Sequence, residues 1–157
     1  MICIKGKNIV LRSVDSSDID TILLWENSSA EPLYGVYEEQ YSREDVGQFV
    51  ENQQRFSFSE NEQLRLMICS LEGDRLGTID LTEYDGKKAF VSILIVDLDN
   101  RRKGFAYNAL QLVVSYALSL GMRELCANIL PENQPSISLF KKAGFEAVDA
   151  MLYCRAL

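Results

Sequence analysis

A short basic segment near the middle of the chain has the composition of an anion-binding loop. It consists of three basic residues, a glycine and two apolar residues, Arg101, Arg102, Lys103, Gly104, Phe105 and Ala106. The first N–H groups of a helix lack intrahelical partners and lie at its positive end, so a helix that begins here attracts phosphate. Glycine allows a ligand to approach the backbone closely, and an arginine side chain can hold phosphate oxygens through two parallel hydrogen bonds. The segment indicates a polyanionic cofactor, against the alternative of a solvated turn.

The sequences on either side of this loop favour the binding interpretation. Residues 90–96 are almost continuously apolar and β-branched, which is typical of a strand covered on both faces. After the loop, apolar residues recur every three or four positions as far as Leu120, and Gly121 is placed to end a helix. Neither GxxxxGK[ST] nor GxGxxG occurs, which argues against a P-loop NTPase and a standard Rossmann dehydrogenase.

The pattern Arg-x-x-Gly-x-Ala after a buried strand resembles the acyl-CoA-binding motif of the GNAT N-acetyltransferases. Residues 133–145 resemble the N-x-x-[AS]-I-x-L-[YF]-x-x-x-G-F helix of that family. Three more segments extend the resemblance over nearly the whole chain, namely Leu11-Arg12, Trp25-Glu26-Asn27 and Gly77-Thr78-Ile79-Asp80-Leu81. The pattern is similar to the branch that contains ribosomal-protein alanine acetyltransferases and spermidine acetyltransferases.

This resemblance implies an α/β, GNAT-like fold with one domain over residues 1–157. The sheet is expected to be mixed and mostly antiparallel, and its two parallel strands, residues 90–97 and 124–130, are expected to splay apart around the pantetheine arm of acetyl-CoA. The implied cofactor contacts are the main chain of three strand residues, the loop described above, and three residues of the last helix, Leu94, Ile95, Val96, Asn133, Ser136 and Phe140. Asn133 could equally cap that helix, and Ser136 could simply face solvent.

Acetyl transfer from a thioester to an amine requires a neutral amine, stabilisation of an oxyanion and a proton for the departing thiolate. An alkylamine has a pKa near ~10, so a carboxylate would help to remove its proton. Glu83 is the candidate base, and a backbone N–H near Ile95 is the candidate oxyanion donor. The candidate residues on the acceptor side are Tyr34, Tyr37, Glu38, Glu39 and Asp80. Each carboxylate could instead be an exposed charge, and each tyrosine a packed ring.

Two positions depart from the family pattern. Many relatives carry a tyrosine that protonates the thiolate where this chain has Phe140, and relatives in this branch often carry a glutamate where it has Phe90. The leading hypothesis is an N-acetyltransferase that moves the acetyl group of acetyl-CoA directly to a primary amine, either a small polyamine-like molecule or a peptide N-terminus. The alternative is a catalytically impaired module that binds or senses acyl-CoA.

Composition excludes several other classes of function. The chain contains no histidine, which rules out Ser-His-Asp and Cys-His catalysis and zinc sites that need imidazole, and no metal is implied. The net charge of -7 argues against nucleic acid as a partner and favours cationic partners, although it could serve solubility alone. The four cysteines are scattered and are expected to be buried thiols.

Neither a membrane span nor a secretory signal is apparent, so a cytoplasmic protein is expected. A homodimer through edge strands is plausible by analogy with the family. The periodicity predicts strands over residues 8–14, 64–71, 76–83 and 124–130, with one or two short closing strands over 145–155. Helices are predicted after Asp15, after Ser42, and over residues 133–143, and residues 28–42 are predicted to form a loop.

Overall fold

The computed structural model describes residues 1–28, 40–100 and 103–157. The strands in these ranges form one eight-stranded sheet in the order β1-β2-β3-β4-β5-β6-β8-β7. They are β1 (Cys3–Lys5), β2 (Ile9–Ser13), β3 (Leu64–Ser70), β4 (Arg75–Thr82), β5 (Lys88–Ile95), β6 (Glu124–Asn128), β7 (Glu146–Ala147) and β8 (Leu152–Ala156). The helices are α1 (Ile19–Ser28), α2 (Arg43–Arg55), α3 (Phe58–Asn61), α4 (Phe105–Ser119) and α5 (Gln134–Lys142). Within the described ranges, no helix is both long enough and apolar enough to cross a bilayer.

The centre of the sheet contains the splayed parallel pair that the family resemblance implies. Strands β5 and β6 run parallel, whereas the other paired strands are antiparallel. Their pairing ends at Phe90 and Cys126, but β5 continues to Ile95 and β6 to Asn128. A gap therefore opens between the two strands beyond Phe90. The expected mixed, mostly antiparallel α/β fold is confirmed.

The two faces of the sheet bury different helices. Because side chains alternate along a strand, Val91 and Ile95 of β5 lie on the face that packs against α4 and α5. On the opposite face, Ile22 of α1 packs with Val46 of α2 and Met67 of β3. The prediction that β5 is covered on both faces was wrong at Ser92, which is exposed on the α1–α2 face.

Capping residues explain where the first two major helices begin. Asp15 caps a 3-10 turn at Ser16–Asp18 that leads into α1, and Ser42 caps α2 through its contact with the Asp45 N–H. Both are capping boxes, in which the acidic residue at the third position bonds back to the N–H of the cap. The predicted starts of these helices are confirmed.

Asp18 ties α1 to the sheet through a buried ionic cluster. Its side chain is fully buried and accepts two hydrogen bonds of 2.8 Å from Arg12, one of 2.7 Å from Arg75 and one of 2.9 Å from the Asp15 N–H. Burial alone would raise its pKa, but these hydrogen bonds outweigh burial and lower the pKa to about 2. The cluster therefore stabilises the fold only while Asp18 is ionised.

This cluster predicts an acid-sensitive contribution to stability. The pKa of Asp18 is lower in the folded protein than its ordinary value of 3.8, so its contribution is complete above that value and disappears as the pH falls towards about 2. We expect Asp18→Asn to lower the free energy of unfolding by about 3 kcal/mol at pH 7, since it leaves two arginines without their carboxylate. At pH 2.5 the difference from wild type should narrow by about 1.5 kcal/mol. Urea unfolding of both proteins at pH 7 and pH 2.5 measures the difference in their free energies of unfolding. A difference that does not change with pH would contradict this role of Asp18.

The structure adds two elements that the sequence did not predict and corrects the expectation about cysteines. Strand β1 and the one-turn helix α3 are too short to show a clear periodicity. Cys126 and Cys154 form a disulfide, because β6 and β8 place them directly opposite each other with Cα atoms 4.1 Å apart. Cys69 is a buried free thiol as expected, whereas the free thiol of Cys3 is exposed.

Candidate functional site

The start of helix α4 is open, and its first backbone N–H groups have no acceptor within the helix. Gly104 is the N-cap, its φ is 81°, and no side chain in the described part of the chain caps this helix. Among the described residues the space around Gly104 is open, since an added Cβ would find only the Asn108 Nδ2 within 4 Å, at 3.9 Å. The first turn contains no acidic residue, and the adjacent Lys103 is exposed.

These features fit a diphosphate, which needs N–H donors, positive charge and room for its oxygens. The predicted residues Phe105 and Ala106 form the first half-buried turn of α4. Arg101 and Arg102 lie outside the described residues. The anion-binding interpretation of this loop therefore rests on Lys103, Gly104 and the first N–H groups of α4.

The gap between β5 and β6 is the second part of the site. The Val96 N–H donates to the Leu76 carbonyl oxygen at 3.1 Å, so even-numbered residues of β5 direct their main-chain groups towards β4. The main chain of Ile95 consequently faces the gap, and that of Leu94 faces β4. Of the three predicted main-chain contacts, the geometry favours Ile95 for an extended ligand arm in the gap.

Close approach of the strand backbones fixes the position of Leu94. Gly77 of β4 pairs with Ile95, and a Cβ built on Gly77 would lie 1.8 Å from the Leu94 carbonyl oxygen. No side chain larger than hydrogen fits at this point. Because Gly77 has no side chain, β4 and the end of β5 can lie this close together where the gap is open.

A small cleft opens on the α1–α2 face of the sheet beside this end of β5. It is shallow and open to solvent, and its lining comes from α1, β3, β4 and β5. The lining residues are Ile22, Trp25, Glu26, Arg65, Thr78 and Leu94. Leu94 brings the end of β5 to the edge of this cleft.

Two of the lining residues, Glu26 and Arg65, form an ionic triad with Asp80, which lies outside the lining. Arg65 donates through Nε and Nη2 to Asp80 at 2.9 and 2.7 Å, and through Nη1 to Glu26 at 2.7 Å. The Phe49 ring lies against the Arg65 guanidinium, with its centroid 5.0 Å from Cζ. Burial raises the pKa of Asp80, and the hydrogen bonds from Arg65 oppose that rise. Asp80 is predicted to lie on the acceptor side. It contacts Arg65, which lines the cleft, and its carboxylate is ion-paired with that residue.

The predicted residues of α5 have mainly structural contacts. Asn133 is the N-cap of the helix and accepts from the Ser136 N–H at 3.3 Å. Phe140 is only 4 % exposed and makes an edge-to-face contact with Phe145, with ring centroids 5.0 Å apart. The structure shows the capping role of Asn133 and the core role of Phe140, and their contacts with a cofactor stay predictions.

The structure does not bring Glu83 to the cleft. It follows the last residue of β4, has a left-handed φ of 52°, and is exposed. Its neighbour Thr82 pairs with Phe90, where β5 and β6 are still hydrogen-bonded, and the gap opens in the other direction along β5. The predicted strand ended one residue too late. The other predicted acceptor-side residues, Tyr34, Tyr37, Glu38 and Glu39, lie outside the described residues.

Sequence reasoning gave no role to Glu26, Arg65 or Thr78. One signal was present for Arg65, which is a charged residue within the apolar run Leu64 to Ser70. A charge at such a position in a central strand requires a partner of opposite sign, and Asp80 stands in the next strand. The contact with Glu26 carried no signal, because those residues are 39 positions apart.

Comparison with known proteins identifies the family. Residues 8–146 match the family profile described as "Acetyltransferase (GNAT) domain". The chain is also 38% identical over 61 residues to an "N-acetyltransferase 9-like protein" of Caenorhabditis briggsae, and 36% identical over 62 residues to the protein of that name in Nematostella vectensis. These segments cover 38% and 39% of this chain, and each spans 31% of the relative's length.

Solved structures of acetyltransferases share the fold. Spermidine N-acetyltransferase from Vibrio cholerae, in complex with CoA and spermine, superimposes with a TM-score of 0.77 at 18% identity, over 94% of this chain and 95% of that one. RimL, a ribosomal L7/L12 α-N-protein acetyltransferase in complex with CoA, gives 0.78 at 16% identity, over 99% and 98%. At such identities these likenesses show the fold alone. The match of the family profile over most of the sequence shows more: this chain belongs to the GNAT acetyltransferase family.

Proposed function

We propose that this protein is an acetyl-CoA-dependent N-acetyltransferase that acts on a primary amine, either a small polyamine-like molecule or a peptide N-terminus. The observation that carries the proposal is the open, uncapped start of α4, on the chain segment that follows the strand bordering the gap. Members of the family use acetyl-CoA, and two solved neighbours contain CoA. The substrates of the spermidine and ribosomal-protein enzymes support an amine acceptor for this chain.

The proposed donor site divides the ligand between two parts of the structure. Bound acetyl-CoA supplies a thioester-activated acetyl group. The N–H groups at the start of α4 and the Lys103 side chain would hold the diphosphate, and the main chain of Ile95 would contact the arm in the gap. Because the Ile95 main chain faces the gap, its N–H is the candidate donor for the oxyanion.

The departing sulfur has no tyrosine partner on α5. Phe140 occupies that helix position, is buried, and has no proton to donate. A thiol has an unperturbed pKa near ~8.5, so its thiolate leaves readily without a side-chain acid. Correct placement of amine and thioester can supply much of the rate. The proposal therefore assigns the rate enhancement to positioning rather than to a dedicated acid.

An acceptor panel tests the proposed function. Purified protein with acetyl-CoA is incubated with 1,4-diaminobutane, spermidine and a set of peptides with free N-termini, and released thiol is measured together with the mass of each acceptor. We expect release of CoA matched by a mass gain of about 42 Da on one or more amines, because an acetyl group replaces one hydrogen of the amine. Positioning of the two substrates should raise the rate well above that of the uncatalysed reaction in solution. Tight binding of acetyl-CoA without any turnover would contradict this and favour the second candidate, an acyl-CoA-binding or sensing module, which the phenylalanines at positions 90 and 140 motivate.

We propose that residues 1–157 act as one domain, that the protein works in the cytoplasm, and that it forms a homodimer through an edge of the sheet. In the described ranges the edges of the sheet are β1 and β7. Light scattering at several protein concentrations tests the dimer, since a constant monomer mass would contradict it.

A further inference from the structure

Three side chains with metal-binding atoms lie together on strands β6 and β8. They are Glu124 and Cys126 of β6 and Cys154 of β8, and their carboxylate oxygen and sulfur atoms lie within 4.8 Å of one another. Glu124 is two residues before Cys126, so both lie on one face of the sheet, and Cys126 pairs directly with Cys154. Leu125 and Ala127 belong to the core beneath α4 and α5, so the group lies on the opposite face.

The two cysteines can exist in two chemical states. In this structure they form a disulfide, which offers no thiolate to a metal ion. Reduction by a dithiol transfers two electrons and two protons to the bond and leaves two thiols, while the reductant becomes a disulfide. The pairing of β6 with β8 keeps the Cα atoms 4.1 Å apart, so the two sulfurs stay neighbours after reduction. The cytoplasm, proposed above as the compartment, keeps thiols reduced.

The reduced pair and Glu124 match the ligands and spacing that Zn²⁺ prefers. Zinc binds cysteine sulfur at ~2.3 Å and carboxylate oxygen at ~2.1 Å, so neighbouring ligand atoms in a tetrahedral site are roughly 3.6 to 3.8 Å apart. The Oε1 of Glu124 already lies 3.4 Å from the Sγ of Cys126. Cys126 is buried, whereas Cys154 is half-buried and the Glu124 side chain is 42% exposed, so a cation can enter from solvent. Three protein ligands leave the fourth position to water.

The charges around the group also favour a divalent cation. Two thiolates and one carboxylate carry three negative charges, of which a divalent cation neutralises two. Lys88 of β5 is the register partner of Glu124, and its Nζ lies 3.6 Å from the Glu124 Oε1. The ammonium group of Lys88 balances the third negative charge. The occupied site would therefore carry no net formal charge, which lowers the cost of its partial burial.

We propose that the reduced pair of Cys126 and Cys154 binds a thiophilic divalent cation, represented by Zn²⁺, together with Glu124. On binding, two S–H bonds break, two metal–sulfur bonds form, and two protons pass to solvent. Oxidation of the pair by a small-molecule disulfide, which is itself reduced to two thiols, removes both sulfur ligands and releases the cation. Cys126 is also the last residue of β6 that pairs with β5, so the cation would join β6 to β8 where the gap begins.

Titration of the reduced protein with Co²⁺ and then Zn²⁺ tests this site. The protein is reduced with a phosphine, which is removed without admitting oxygen. We expect about one Co²⁺ per chain, a thiolate-to-cobalt charge-transfer band in the near ultraviolet, and loss of the band when Zn²⁺ displaces Co²⁺. Wild-type protein with the disulfide intact is the matched control, since it lacks both thiolates without any substitution, and it should show no band. A reduced protein without the band, or equal binding by both forms, would overturn the inference.

Substitutions assign the three ligands. Competition with a chromophoric chelator measures Zn²⁺ affinity, and we expect Cys126→Ser and Cys154→Ser each to lower it at least about 100-fold and Glu124→Gln at least about 10-fold, because even residues that only support a ligand contribute 10- to 100-fold. Cys3→Ser removes an exposed thiol from β1, and Glu51→Gln removes an exposed carboxylate from α2. Both controls should bind Zn²⁺ as wild type does. Unchanged affinity in Cys154→Ser, or an equal loss in Cys3→Ser, would contradict the assignment.

A melting measurement separates this inference from the proposed acetyltransferase function, because it requires neither acetyl-CoA nor turnover. Zn²⁺ at about 100 times its Kd should raise the Tm of the reduced wild type by at least about 4 °C and leave the Tm of the disulfide form unchanged. A protein that shows this shift but acetylates no amine would support the metal site and contradict the enzyme proposal. Turnover without any shift in the reduced protein would overturn the metal site alone.

Discussion

Replacing Gly104 with aspartate is expected to weaken acetyl-CoA binding by at least about 100-fold while helix α4 remains folded. Gly104 caps α4 in the left-handed region, which aspartate and asparagine tolerate better than most residues. The new carboxylate would accept hydrogen bonds from the N–H groups that the diphosphate needs. Its negative charge would also repel the negative charge of the diphosphate. Calorimetric titration with acetyl-CoA measures the loss, and circular dichroism confirms that the helix persists.

Two controls separate charge from conformation in this prediction. Gly104→Asn introduces a side chain of the same shape without the charge, so it should cost only about 10-fold in affinity. Gly86→Asp places the same carboxylate at another left-handed glycine, with φ of 95° and open space around it, in the turn before β5. It should leave the affinity unchanged. Wild-type affinity in Gly104→Asp would show that the diphosphate does not bind at the start of α4.

Replacing Gly77 with alanine is expected to lower the free energy of unfolding by about 3 kcal/mol or more, an effect at the upper end for overpacking. The added methyl group would lie 1.8 Å from the Leu94 carbonyl oxygen, which belongs to the backbone and cannot rotate away. Strands β4 and β5 would have to separate at the open end of the gap. Urea unfolding measures the change in stability, and the KM for both substrates should rise in the folded fraction.

Gly47→Ala is the matched control for this substitution. Gly47 lies in α2, and an added Cβ there meets no atom of the described residues within 4 Å. Alanine favours the helix over glycine by about 1 kcal/mol, so this variant should be more stable than wild type. A Gly77→Ala protein as stable as wild type would mean that β4 and β5 are not in such close contact.

Local sequence signals were sufficient to predict much of the fold. Caps and turn glycines depend on neighbouring residues, and Asp15, Ser42 and Gly121 therefore marked element boundaries correctly. The motif around Gly104 indicated the start of α4 because its chemistry is contained in six consecutive residues. The family resemblance supplied the splayed strands, which periodicity alone does not show.

The features that could not be predicted depend on register and long-range contact. Glu26, Arg65 and Asp80 meet only after α1 packs on the sheet and β3 pairs with β4. The same is true of Cys126 and Cys154, whose pairing follows from the register of β6 and β8. A strand end is also hard to place within one residue, which is why Glu83 was assigned to β4.

The most direct test of the central claim is a crystal structure of the protein with coenzyme A. The account predicts that the diphosphate lies within hydrogen-bonding distance of the first N–H groups of α4, and that the pantetheine arm enters the gap beside Ile95. Coenzyme A bound elsewhere, with the start of α4 covered by protein atoms, would contradict it.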